Sequence, residues 1–133
     1  RSSDLCLYDH KAKIAGMAHI MLPSSAESQT ENDNMRRYAD TGVAELIRKM
    51  CSYGAKKRRI TAKIAGGAQM FSGDSDVFSV GERNVAAVKQ ALQSSKIPIV
   101  AEQTGLDFGR TVFFYSEDGT MEVRAPSRPA IKV

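Results

Sequence analysis

Two apolar runs near the start of the chain, Leu5-Cys6-Leu7-Tyr8 and Ile14-Ala15-Gly16-Met17-Ala18-His19-Ile20-Met21-Leu22, are separated by only five residues, Asp9-His10-Lys11-Ala12-Lys13. A link this short and this polar joins two strands most simply as an antiparallel hairpin. The first run is apolar on both faces, as an interior strand is, and Pro23 stops the second. With 133 residues in all, the chain has room for one domain and one main core.

Residues 24–34 are rich in Ser, Glu, Asn and Gln and read as a surface loop. A first helix follows, capped by Asp40 or Thr41, with Val43, Leu46, Ile47 and Met50 on one face and Gly54 as its stop. After the basic run Lys56-Lys57-Arg58-Arg59, residues 60–65 read as a strand ending at Gly66-Gly67. Residues 72–79 form a second polar loop around Val77-Phe78, and residues 82–93 a second helix with Val85, Val88 and Leu92 inward. Ile97-Pro98-Ile99-Val100 reads as a short strand, its proline hinting at an edge. Residues 110–115 and 121–124 flank Asp118-Gly119, a hairpin signal, and the tail after Pro126 looks loose. This order is neither a regular βαβ alternation nor all-β. It predicts an α+β fold with layered mixed or antiparallel sheets and two main helices on one side.

Composition narrows the function classes. Hydrophobic residues at 42% and charged ones at 26% exclude disordered and fibrous chains. No apolar run approaches the ~20 residues of a membrane helix, so no membrane insertion is expected. Aromatics are 7% and Trp is absent, so packing must be mostly aliphatic. A net charge of +4, concentrated locally and without interleaved aromatics, argues against nucleic acid. Cys6 and Cys51 form neither a disulfide framework nor a metal motif, and no cofactor pattern is present. With no secretory leader, a cytoplasmic location is expected. The chain opens at Arg1 rather than Met, and a missing front end is expected.

His19 is the one polar residue within the apolar stretch from Gly16 to Leu22, where a polar side chain needs a reason. An ordinary core or edge histidine bonded to a backbone carbonyl is one reading, and catalysis is the other. Hairpin register bears on the choice. A turn over residues 10–11 or 9–12 sets Ser2 opposite His19, close enough for a nucleophile and its base. An odd-length turn sets Ser3 there instead. In the first case Cys6, four residues from Ser2 and roughly 13 Å along the strand, is too far away to share the histidine.

Ala18-His19-Ile20-Met21-Leu22-Pro23 resembles the histidine motif of the CheD family, the chemoreceptor glutamine deamidases of bacterial and archaeal chemotaxis. Four further blocks resemble that family in the same order: Tyr38-Ala39-Asp40-Thr41 with Glu45-Leu46-Ile47, residues 63–71 around Gly66-Gly67, Gly81-Glu82-Arg83-Asn84-Val85, and Glu102-Gln103-Thr104-Gly105 with Gly109-Arg110. The similarity spans residues 5–123 and identifies the chain as a single CheD-like domain over residues 1–133.

The resemblance implies cysteine-hydrolase chemistry. A thiolate attacks the carboxamide of a receptor glutamine, ammonia leaves, and water releases glutamate. The histidine, here His19, serves as base and then acid. The implied partners are chemoreceptor cytoplasmic helices and a CheC-type phosphatase. Seventeen residues before His19, where the family has its nucleophilic cysteine, this chain has Ser2, in Arg1-Ser2-Ser3. The family's upstream threonine would fall before Arg1. An engineered change, a natural inactive variant and a divergent start that shifts the alignment each account for the serine. A hydroxyl ionises far less readily than a thiol, so little or no deamidase activity is expected.

Other features have plainer readings. Cys6 and Cys51 read as structural thiols. Gly66-Gly67 reads as a tight turn more readily than as an oxyanion hole. Thr104, Gly105 and Arg110 either border a pocket or form a turn. The run from Lys56 to Arg59 reads as a solvated connection, with attraction to acidic receptor helices as the functional alternative. Val77-Phe78 either folds onto the core or anchors a partner.

Overall fold

In a computed structural model, residues 3–20, 39–66, 80–104, 111–125 and 129–133 are described. The elements are β1 (Ser3–Asp9), β2 (Ile14–Ile20), α1 (Ala39–Ser52), a 3-10 turn (Lys57–Arg59), β3 (Ile60–Gly66), α2 (Val80–Ser94), β4 (Ile99–Thr104), β5 (Thr111–Phe114), β6 (Met121–Arg124) and β7 (Ile131–Lys132). The first four strands form a mixed sheet in the order β2-β1-β3-β4, and the last three an antiparallel sheet in the order β5-β6-β7. This is the expected α+β layout. The expected loops at residues 24–34 and 72–79 and the Gly67 end of the glycine-rich block lie outside the described residues.

Strand alternation divides the interior in two. Leu5, Leu7, Ala18, Ile20, Ala62 and Ile64 pack with Val43, Ile47 and Met50 of α1 and with Val88 and Leu92 of α2. Both helices therefore cover the same face of the mixed sheet. Cys6 and Ala65, of opposite parity, pack on Met121 and Val123 of the small sheet. The result is a helix layer, a mixed sheet and a second sheet. Tyr8 ties the last two together: its hydroxyl donates to the Ser116 carbonyl at 2.9 Å, and its ring meets Phe114 edge-on at 6.1 Å. Gly54, at φ +114°, ends α1 in the left-handed backbone that only glycine adopts without strain.

Several expectations need correction. The strand expected from Ile97 starts at Ile99 and runs on to Thr104, parallel to β3 and at the sheet's edge. The tail is not loose: β7 pairs with β6, and Val133 exchanges backbone hydrogen bonds with Met121. The charge run is not wholly solvated, because Arg59 turns inward to Asp9 at 3.0 Å.

The hairpin itself closes over none of the expected turns, neither residues 10–11 or 9–12 nor an odd-length loop. Asp9 pairs with Ile14, so the turn is residues 10–13, and Asp4, neither Ser2 nor Ser3, stands opposite His19. The cause is Asp9. Its wholly buried carboxylate accepts the backbone N–H groups of Lys11 at 3.0 Å and Ala12 at 3.1 Å, holding Asp9 as the last strand residue rather than the first turn residue. The same carboxylate accepts Lys56 N–H at 2.8 Å and the Arg59 guanidinium at 3.0 Å. One side chain therefore joins the hairpin turn to the α1–β3 connection.

Arg59 first, then these backbone donors, hold the Asp9 carboxyl well below the usual carboxylate range against the opposing effect of burial. Because the folded value is depressed, the stabilisation is complete above the unfolded value of about 3.9 and is lost as pH falls through the folded one. Asp9→Asn should lower unfolding free energy by about 3 kcal/mol at neutral pH, the scale for breaking a buried pair. Urea titrations should show the gap between variant and parent narrowing as pH drops below about 4.

Candidate active site

His19 is the penultimate residue of β2, and its face follows from its neighbours. Ala18 and Ile20 point into the helix-side core, so His19 points to the opposite face, with 57% of its side chain exposed. Directly across the ladder, Asp4 of β1 places Oδ1 2.7 Å from His19 Nδ1. A carboxylate can only accept, so in the neutral ring Nδ1 carries the proton and Nε2 is left as the basic nitrogen. The reading of His19 as a histidine satisfied by a backbone carbonyl is thereby replaced: its partner is a carboxylate.

The backbone beneath this pair is firmly held. Ser3, next to Asp4, pairs with both Ile20 and Gly66, and Gly66 pairs with Thr104. A row of backbone at one end of the sheet thus links β2, β1, β3 and β4. Asn84, buried on α2, donates from Nδ2 to the Ile20 carbonyl at 3.3 Å. The second-helix block of the sequence is therefore anchored beside His19, a connection that no local sequence signal revealed.

The other nominated residues separate cleanly. Ser2, Gly67, Gly105 and Arg110 lie outside the described residues. Ser3 belongs to the helix-side parity of β1, wholly buried, and so does not face His19. Gly66 has φ +108°, in keeping with the tight-turn reading. Thr104 donates to Glu102 at 3.1 Å, and Glu102 pairs with Lys89 of α2 at 2.9 Å, which places Thr104 with the helix layer. Among the described residues, no group of three or more His, Cys, Asp and Glu could hold a metal ion. No described helix is long and apolar enough to cross a membrane.

Cys6 is closer to His19 than the expected register allowed. It pairs with Met17, one diagonal step from His19, where strand neighbours are about 7–8 Å apart. Distance therefore does not exclude it, but chemistry does. Cys6 is wholly buried, and burial first, then the Asp4 carboxylate, push its thiol up to about 12, with Lys63 opposing. The thiolate that nucleophilic attack requires is then negligible at neutral pH. Cys51 is exposed, near the end of α1 and on the opposite side of the mixed sheet from His19.

A thiol reagent such as DTNB should accordingly titrate one cysteine, Cys51, in the native protein. Cys6 should react only in guanidinium. A Cys51→Ser variant whose remaining thiol reacts within minutes under native conditions would contradict the burial assigned to Cys6.

A family model described as CheD chemotactic sensory transduction matches residues 21–125, a span that opens just past β2. A probable chemoreceptor glutamine deamidase CheD of Caldanaerobacter subterraneus subsp. tengcongensis is 51% identical over 122 residues, covering 90% of this chain and 75% of that protein. One of Lachnoclostridium phytofermentans is 44% identical over 131 residues, covering 97% and 81%. The chemoreceptor glutamine deamidase CheD of Halalkalibacterium halodurans is 47% identical over 120 residues, covering 89% and 74%. With a match over most of its length and relatives this similar, the chain belongs to the CheD family.

Proposed function

We infer that this chain is organised as a chemoreceptor glutamine deamidase in which His19 is general base and acid, and that Ser2 at the nucleophile position leaves it little or no activity. One observation carries the reading. In a chain whose relatives are named chemoreceptor glutamine deamidases, the strand histidine is exposed and bonded through Nδ1 to a carboxylate. Nε2 is then available for proton transfer.

The reaction has two halves. The nucleophile attacks the side-chain carbonyl carbon of a receptor glutamine as its proton passes to His19 Nε2. The tetrahedral adduct then breaks its C–N bond, and the same proton leaves with ammonia. Water, deprotonated by His19, attacks the resulting acyl group. Glutamate is released, and the proton returns to the nucleophile. Ser2 lies seventeen residues before His19, the family's distance from nucleophile to histidine, which supports Ser2 as the residue at the nucleophile position. A serine hydroxyl must give up its proton far less readily than a cysteine thiol, and the rate suffers accordingly.

The substrates are glutamines on chemoreceptor cytoplasmic helices, which places the chain in the cytoplasm. Ser2 itself favours a second reading, a module that docks on receptors or on a CheC-type phosphatase without chemistry.

Mass spectrometry of a receptor helix fragment distinguishes the two. The chain as it stands should convert glutamine to glutamate at background rate, and Ser2→Cys should produce conversion with ammonia release. Adding His19→Ala to Ser2→Cys should cut that rate by about 10²–10⁴-fold, the usual share of a general base. Binding of receptor fragment by an inactive Ser2→Cys variant would favour the docking module.

A further inference from the structure

The hydrogen bond between Asp4 and His19 is more than a surface ion pair. We propose that Asp4 is a positioning residue that sets the tautomer and orientation of His19, so that Nε2 is presented as the base. The proposal rests on the reading of His19 as general base.

Three observations carry it. Asp4 and His19 are directly opposed in the ladder, so backbone pairing, rather than two freely rotating side chains, brings them together. The contact is short, 2.7 Å, and made at Nδ1, which leaves the other ring nitrogen for chemistry. Exposure is divided unequally: the Asp4 side chain is 22% exposed against 57% for His19. The acceptor is sheltered while the ring it holds faces outward.

Stability is a poor explanation for the pair. Partly exposed ion pairs contribute little to folding, and the strands are already held by the Ser3 row, by Asn84 and by Asp9. Holding one tautomer is what a carboxylate does for a histidine base. It accepts Nδ1–H, stops the ring from turning, and remains beside the ring when the second proton arrives. Asp4 need not touch substrate to do this.

The tautomer can be read without any substrate. Two-bond proton–nitrogen correlation spectra of the labelled chain report which nitrogen of each neutral imidazole bears hydrogen, and His10→Gln assigns the two histidines. His19 should be in the Nδ1–H form. Asp4→Ala should move it to the Nε2–H form that a free imidazole prefers, and Asp4→Glu should retain Nδ1–H, with His10 unchanged throughout. A parent His19 in the Nε2–H form, or one that ignores Asp4→Ala in a variant with unchanged circular dichroism, overturns the proposal.

Activity gives a second readout. In a Ser2→Cys background, Asp4→Ala should lower kcat for glutamine conversion by about tenfold or more with KM little changed, as loss of a histidine's orienting carboxylate does. If Ser2→Cys is active, equal rates with and without Asp4→Ala also overturn the proposal. Should Ser2→Cys convert no glutamine while the tautomer responds to Asp4, the deamidase reading falls and the positioning role stands.

Discussion

The buried carboxylate of Asp9 sets the geometry on which the candidate site depends. It accepts hydrogen bonds from the turn at Lys11 and Ala12, and from Lys56 and Arg59 beyond α1. By taking the N–H groups of Lys11 and Ala12 it holds both residues in a turn that spans residues 10–13. Because strand pairing propagates without slippage, that choice at one end of the hairpin determines which residue meets His19 at the other. A turn one residue earlier would bring Asp4 opposite residue 17 and leave His19 without a carboxylate. Folding and site geometry are coupled here through register, with no direct contact between Asp9 and the histidine.

The two faces of β1 serve different purposes. Leu5 and Leu7 enter the aliphatic core beneath both helices. Asp4, Cys6 and Tyr8 face the second sheet, where polarity is tolerated if it is paired. Cys6 shows how finely position matters on that face. One diagonal step from His19, it is held as the thiol at neutral pH by burial and by the nearby Asp4. A residue type suited to nucleophilic attack is silenced by its surroundings, while an exposed histidine on the neighbouring strand is held by a carboxylate. Thiol identity by itself is therefore no guide to the reacting group in this chain.

Much of the architecture was legible because it rests on short-range pattern. The 3.6-residue spacing of Val43, Ile47 and Met50, and of Val88 and Leu92, marked the helices and their buried faces. Gly54 marked a helix end, and Asp118-Gly119 lay in the turn between β5 and β6. The two-residue β7 was missed because it has no periodicity of its own and exists through pairing with β6. Arg59 looked like one member of a solvated run because its partner, Asp9, is 50 residues away in sequence. Asn84 carried no sign that it would reach Ile20, for the same reason.

From the order of residues alone came the hairpin, the two helices, the α+β class and the choice of His19, since each depends on composition and spacing within a few residues. Family resemblance rested on the same local blocks. Which side chain stands across from His19 was decided only by tertiary structure. Register depends on where a turn closes, and this turn is closed by a carboxylate whose other partners arrive from beyond the first helix. A shift of one position in that closure costs little in local preference but changes every cross-strand pair. The carboxylate–imidazole contact is therefore a product of the assembled fold.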